Sequence, residues 1–281
     1  MNIRKIAVIG AGTMGSGIAQ VAVQSGYEVV LEDVGEDLVK AGLEKIRKRL
    51  EKMVSDRQLE AGDTERALSN IRAATSLYDC QEADLVIEAA AEKEDVKKQI
   101  FQELDRLCRK EAVFATNTSA ISITRLARST ERPAQCIGMH FMNPAHKMKL
   151  LEVVKGLGTS EETVDTITEV AGRMGKTPVV VNDYPGFVAS RLIMNGLNDA
   201  IFCLQEGVAS REGIDTIMRL GANHPMGPLE LADFIGLDIC LATLDLLQAE
   251  LGEKYRPCTL LRKMVEGGKL GRKSGGGFYE Y

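Results

Sequence analysis

His140 and Glu152 are the residues best suited to do chemistry together. Residues 135–140, Gln-Cys-Ile-Gly-Met-His, read as a short buried strand, and residues 150–154, Leu-Leu-Glu-Val-Val, as another. Asn143, Pro144 and His146 between them are turn-compatible. If the strands pair antiparallel about a turn centred on His146, His140 and Glu152 lie six residues to either side and face each other. A carboxylate beside an imidazole fixes its tautomer and favours the protonated ring. That is how a general base is built. The same spacing also fits a core histidine with a carboxylate neighbour, so the elements around the pair bear on the choice.

The first of those elements is Lys5-Ile6-Ala7-Val8-Ile9-Gly10, an apolar run with the length of a buried parallel strand. It runs into Gly10-Ala11-Gly12-Thr13-Met14-Gly15, and a helix follows with Ile18, Ala19, Ala22 and Val23 on one face. In such a loop Gly10 allows a tight turn, Gly12 lets the backbone approach a pyrophosphate, and Gly15 lets helix and strand pack closely. The helix N-terminus offers N–H groups and a positive dipole end to the phosphates. A G-x-G-x-x-G motif alone is weak. Here a second strand, Glu28-Val29-Val30-Leu31-Glu32-Asp33, completes its context and ends in acid. An acid there binds the ribose 2′-hydroxyl of NAD and repels the extra phosphate of NADP. Asp33 is the expected residue, with Glu32 beside it.

Residues 36–70 form a helical excursion. Val39, Leu43, Ile46, Leu50 and Met53 have helical spacing over 36–56, and 57–70 reads as a returning helix. Between residues 40 and 57 the other face carries Lys40, Lys45, Arg47, Lys48, Arg49, Lys52 and, just past the helix, Arg57 against Glu44, Glu51 and Asp56. It reads either as a solvated face with i,i+4 pairs or as a local anion site. Strands are then expected at 71–75, 83–88, 112–116 and 177–181, with a helix over 94–110. Asn117-Thr118-Ser119 stands at a strand C-terminus, where ligands sit in open α/β sheets. Ser119 fits a hydroxyl donor or the cap of a helix over 120–128. Glu92 and Lys97 share that rim.

Asn182-Asp183-Tyr184-Pro185-Gly186 breaks the sheet pattern. Beyond it, helices are expected over 187–206, 211–220, 228–251 and 257–267. The reading is therefore a Rossmann-type, mostly parallel α/β domain over 1–183 and an all-α domain over 184–281. The latter suits substrate closure and dimerisation.

Composition narrows the partners. A net charge of −5 and a pI near 5.5 argue against nucleic acid. No run approaches a membrane span. Met1-Asn2-Ile3-Arg4-Lys5 leads straight into a strand, so no signal peptide is expected. Six scattered cysteines without a Cys-x-x-Cys pair suit a reducing, cytoplasmic setting, and three histidines make a metal site unexpected.

The chain resembles the L-3-hydroxyacyl-CoA dehydrogenases, most closely the stand-alone bacterial 3-hydroxybutyryl-CoA enzymes. The resemblance spans essentially the whole chain. It rests on Gly10–Gly15, Asn117-Thr118-Ser119, His140-Phe141-Met142-Asn143-Pro144 and Leu151-Glu152-Val153-Val154. In the helical half it rests on Asp183-Tyr184-Pro185-Gly186-Phe187, His224-Pro225-Met226-Gly227-Pro228 and Leu270-Gly271-Arg272-Lys273-Ser274-Gly275. It implies His140 as catalytic base, Glu152 as its orienting partner and Ser119 near the substrate C3 oxygen. It implies NAD contacts at Asp33, Glu92, Lys97, Ser119 and Asn143, and coenzyme A near Lys48 and Lys52. Many members carry Asn before Arg where this chain has Ser190 before Arg191. Serine still donates a hydrogen bond but is shorter. The implied activity is NAD-dependent interconversion of (3S)-3-hydroxyacyl-CoA and 3-ketoacyl-CoA in a homodimer. Chain-length preference, direction and pathway stay open. Two alternatives are a dehydrogenase of free hydroxy or sugar acids and a non-catalytic dinucleotide-binding protein.

Overall fold

The computed structural model describes all residues from Met1 to Tyr281. The chain forms two compact units, Met1–Asp183 and Tyr184–Tyr281. The first is built on one eight-stranded sheet. Its strands are β1 (Lys5–Ile9), β2 (Glu28–Glu32), β3 (Ile71–Ala74), β4 (Leu85–Glu88), β5 (Val113–Thr116), β6 (Cys136–Phe141), β7 (Leu150–Lys155) and β8 (Thr177–Asn182). Their spatial order is β3-β2-β1-β4-β5-β6-β7-β8, with only β6 and β7 antiparallel. The chain winds outward from β1 to β3, then restarts at β4 on the other side of β1. The strand ends at that reversal are where such sheets bind ligands.

Six helices accompany the sheet: α1 (Thr13–Gln24), α2 (Glu36–Ser55), α3 (Asp63–Ser69), α4 (Glu94–Leu107), α5 (Ile123–Ala127) and α6 (Glu161–Arg173). Alternate residues of β1 go to opposite faces. Ile6 and Val8 pack with Ile18 and Ala22 of α1 and with Ile46 and Leu50 of α2. Ala7 and Ile9 pack in a second cluster with Phe101 and Leu104 of α4. A strand covered on both sides must be apolar throughout, which is why β1 shows no alternation in sequence.

Two helices are about half their expected length. The returning helix anticipated over 57–70 occupies only Asp63–Ser69, because the Asp63 carboxylate accepts the Glu60 amide at 2.8 Å and holds a turn ahead of it. The helix anticipated over 120–128 is confined to Ile123–Ala127. Thr118 Oγ1 accepts the amides of Ala120 and Ile121, and Ser122 caps the helix by accepting the Arg125 amide. Ser119 is therefore not that helix's cap.

The second unit holds α7 (Ala189–Gln205), α8 (Arg211–Gly221), α9 (Pro228–Ile235), α10 (Leu237–Leu251) and α11 (Thr259–Glu266). The single helix expected over 228–251 is two, broken at Gly236, whose φ of 106° suits glycine alone. Leu197, Ile201, Leu229, Leu244, Leu247 and Leu261 meet in the core. The buried Asp233 carboxylate accepts the amides of Phe278 and Tyr279 and ties down the C-terminal residues. No helix is long and apolar enough to cross a membrane.

Candidate active site

β6 and β7 pair in the register that sets His140 opposite Glu152. His140 Nδ1 lies 2.7 Å from Glu152 Oε2. The histidine is 8% exposed and the glutamate 2%. A carboxylate only accepts, so the bond places the neutral ring's proton on Nδ1 and its basic lone pair on Nε2. The end of β6 is itself held: the Phe141 N–H donates to Asn117 Oδ1 at 2.9 Å, joining β6 to the turn after β5. Sequence places Asn117 at that strand end without giving it a role of its own. Its signal is its place directly after a buried strand, a polar side chain where the chain leaves the sheet.

Asn143 lies exposed beyond β6, before a cis bond to Pro144. His146, at the centre of the loop, has no part in the pair. Burial, then the nearby cations Arg49, Lys147 and Lys176, push its imidazole down to about 4, so it is neutral at ordinary pH. The buried Lys176 ammonium donates to the Ala145 and Met148 carbonyls and fastens this loop from below.

Gly10 to Gly15 form the turn from β1 into α1. A Cβ on Gly15 would lie 1.7 Å from the Gly10 carbonyl oxygen, so helix and strand can approach only with glycine there. A Cβ on Gly12 would meet nothing within 4 Å, so that backbone faces open space. The first amides of α1, from Thr13 and Met14 onward, have no carbonyl ahead of them in the helix. Asp33, just past β2, accepts the Ala11 N–H at 2.7 Å and the Val34 N–H at 2.8 Å, fixing its carboxylate at the loop's edge. Beside it opens a cleft of about 490 Å³ lined by Ile9, Gly12, Asp33, Leu77, Ala89 and Ile100 among others. An amide-rich turn, an acid at the rim and an apolar slot suit the pyrophosphate, ribose and adenine of NAD, so the residues present fit this cofactor.

Lys97 is buried, 1% exposed, and its ammonium donates to both Glu88 oxygens at 2.7 and 2.9 Å. Glu88 is fully buried and also accepts the Thr116 hydroxyl and the Ala90 N–H. On the other side Lys97 meets Glu92 Oε2 at 3.2 Å. Glu92 in turn accepts the Ser119 N–H at 3.0 Å and the Thr118 hydroxyl. Ser119 Oγ stands 3.5 Å from Glu92 Oε1, the oxygen that accepts both of those bonds. One buried ion pair thus ties the loop after β4 to the turn after β5. Glu88 reads in sequence as the last residue of a strand, with nothing to mark it as the hub.

On α2, Lys48 pairs with Glu44 at 3.5 Å, Lys40 with Glu36 and Arg47 with Glu65. Lys52 and Lys45 are exposed without such partners, and Arg49 turns inward to Ser16 Oγ at 3.3 Å. The helix therefore carries the i,i+4 pairs of a solvated face and leaves Lys45 and Lys52 unpaired. In the second unit Ser190 is buried in the first turn of α7, next to Arg191, whose Nε donates to the Tyr255 hydroxyl. No group of three or more His, Cys, Asp or Glu side chains could hold a metal ion.

The reversal of strand order, the glycine turn with its acid and the buried imidazole–carboxylate pair are those of a dinucleotide-dependent oxidoreductase. Residues 5–184 match the family model for the 3-hydroxyacyl-CoA dehydrogenase NAD binding domain, and residues 186–281 match that family's C-terminal domain. A probable 3-hydroxybutyryl-CoA dehydrogenase of Bacillus subtilis is 49% identical over 282 residues, covering 100% of this chain and 98% of the relative. The 3-hydroxybutyryl-CoA dehydrogenase of Bradyrhizobium diazoefficiens is 49% identical, covering 99% and 96%. The crystal structure of (S)-3-hydroxybutyryl-CoA dehydrogenase from Ralstonia eutropha superposes with a TM-score of 0.96 at 43% identity, covering 100% of this chain and 99% of that one. The chain belongs to the 3-hydroxyacyl-CoA dehydrogenase family. Its activity is NAD-dependent oxidoreduction of 3-hydroxyacyl-CoA.

Proposed function

We propose that His140 is the general base, that Glu152 stabilises the imidazolium, and that the preferred substrate is (3S)-3-hydroxybutyryl-CoA. The 2.7 Å bond between Nδ1 and Oε2 carries this reading, because it directs Nε2 toward proton transfer. NAD supplies the hydride acceptor. His140 Nε2 receives the C3 hydroxyl proton as the carbinol becomes a ketone, and returns it when the reaction runs in reverse. Glu152 lowers the free energy of the charged ring in a setting with little water to screen it. Ser119 and Ser190 are the hydroxyls assigned to the substrate oxygen. The 3-hydroxybutyryl-CoA enzymes among the relatives support the short acyl chain.

Asp33, the Gly10–Gly15 turn, Glu92, Lys97, Ser119 and Asn143 form the proposed NAD site, Lys97 acting through the carboxylates it holds. Lys52, with Lys48, offers point charges to the phosphates of coenzyme A. Exposed Leu192, Ile217 and Leu220 in the second unit support a homodimer formed through that unit, and six free cysteines support a cytoplasmic setting. His140→Gln tests the central assignment. Reduction of acetoacetyl-CoA should slow by about 10²–10⁴, the usual worth of a positioned acid–base group, with NADH affinity unchanged. A wild-type rate would remove His140 from the chemistry.

A further inference from the structure

Glu32 is the last residue of β2, and its side chain lines the cleft beside the glycine turn. It is 4% exposed, and the influences on its carboxyl are burial and neighbouring charges, with no hydrogen bond from the protein among them. Every other buried carboxylate described above is satisfied: Glu88 by Lys97 and Thr116, Glu152 by His140, Asp233 by two amides. Its charged surroundings are mostly of its own sign. Asp33 follows it in the chain, Glu103 of α4 lines the same cleft, and Asp79 lies in the single turn Leu77–Cys80. The Arg72 guanidinium on β3 is taken by Asp79 at 2.7 Å, and the remaining titratable neighbour is the buried Cys80 thiol. Around these lie the apolar side chains of Ile9, Leu77, Val96 and Ile100. Burial first, then Asp33, Glu103 and Asp79, push the Glu32 carboxyl up to about 7.

We propose that Glu32 meets the adenosine end of NAD as a neutral carboxylic acid, and that cofactor affinity therefore weakens as pH rises above neutrality. The inference rests on the cleft being the NAD site. A protonated carboxyl carries an O–H donor that suits a purine ring nitrogen, whereas an ionised one only accepts. A bound purine would cover the carboxylate from the open side of the cleft and bring a diphosphate closer to it. Both effects disfavour the ionised form in the complex more than in the free protein. Binding above neutrality must then take up a proton. Glu32 also meets the extra phosphate of NADP with like charge once ionised, so it adds to the selectivity assigned to Asp33.

The experiment is direct NADH binding, read by fluorescence titration from about pH 5.5 to about pH 9, with calorimetry in two buffers of different ionisation enthalpy to count protons. In the wild type the Kd should be flat below neutrality and about tenfold weaker by about pH 8.5, with proton uptake on binding. Glu32→Gln, which keeps the shape and an N–H donor, should bind with a Kd that no longer changes over that range and with no uptake from this site. Glu103→Gln removes a like charge from across the cleft, so the weakening should begin at lower pH than in the wild type. This variant keeps the inference testable if the first does not fold. A pH-independent wild-type Kd, or the same weakening in Glu32→Gln, or an unmoved onset in Glu103→Gln, would overturn it. Absence of NADH binding at every pH would instead remove the cleft as the cofactor site, and this inference with it.

Discussion

Glu152→Gln isolates what the carboxylate contributes beyond holding the ring. Glutamine preserves length and can still accept the Nδ1 proton through its carbonyl oxygen, so the change removes charge with little change of shape. The observed contact is 2.7 Å between atoms of two nearly buried side chains. Charge centres about 4 Å apart interact by about 4 kcal/mol at an effective dielectric of about 20, which is an upper value because the transition state carries part of the charge. From the other side, a hydrogen bond to a charged group exceeds a neutral one by about 1–1.5 kcal/mol. The loss of transition-state stabilisation should fall between these bounds, near 2–3 kcal/mol, or roughly 30- to 150-fold in kcat. The assay is steady-state oxidation of (3S)-3-hydroxybutyryl-CoA, the direction in which the imidazole gains its charge, followed by NADH absorbance, with NADH affinity measured separately and expected to stay within about twofold. A kcat within about threefold of wild type in a folded variant would show that the carboxylate does not stabilise a charged imidazole during turnover.

Three further outcomes follow from the same structure. NADPH should be a poor substitute for NADH, with kcat/KM lower by about 10²-fold or more, because Asp33 faces a cofactor with an added dianion; comparable values would remove Asp33 from cofactor selection. Lys97→Met should destabilise the first unit by about 3–5 kcal/mol by stranding the buried Glu88 charge, and adding Glu88→Gln should recover much of the loss; a thermal melt unchanged by Lys97→Met would contradict the buried pair. Glu32→Gln should alter stability with a definite sign. The folded carboxyl titrates at about 7 against an ordinary 4.5, so the folded protein keeps a proton that the unfolded chain releases. That penalty is absent below about pH 4.5, grows across the interval and reaches up to about 3 kcal/mol above about pH 7. The variant should therefore melt above the wild type at high pH and level with it at low pH. An equal difference at both would be inconsistent with a raised carboxyl.

The buried imidazole–carboxylate pair was legible in sequence because an antiparallel register is symmetric about its loop. Once two buried strands are recognised, equal spacing from the loop centre decides which residues meet, and His140 and Glu152 follow. The glycine turn was legible for a different reason: each glycine answers a local steric demand, as the Gly15 approach to Gly10 shows. What escaped depends on contacts distant in sequence. Glu88 and Lys97 come from β4 and α4, and nothing at either position declares that they exclude water together. The shortened α5 reflects Thr118 competing for backbone amides, a contest that helix propensity alone does not register. Glu32 looks like a solvated strand-end acid beside Asp33, and its burial appears only when α4 and the turn at Leu77–Cys80 are folded over it. The break at Gly236 was hidden by an unbroken helical pattern on both sides.

The claim that His140 and Glu152 act as one device is tested most directly by a double-mutant cycle. Oxidation of (3S)-3-hydroxybutyryl-CoA is measured for the wild type, His140→Gln, Glu152→Gln and the double variant, with NADH affinity as the control for a folded site. Glu152 is assigned to work only through the imidazole, so once His140 is gone its loss should add almost nothing, and the double variant should be about as slow as His140→Gln alone. Losses that multiply, the double variant falling a further 30-fold or more, in round terms about 2 kcal/mol, would mean that the two residues act on the reaction separately.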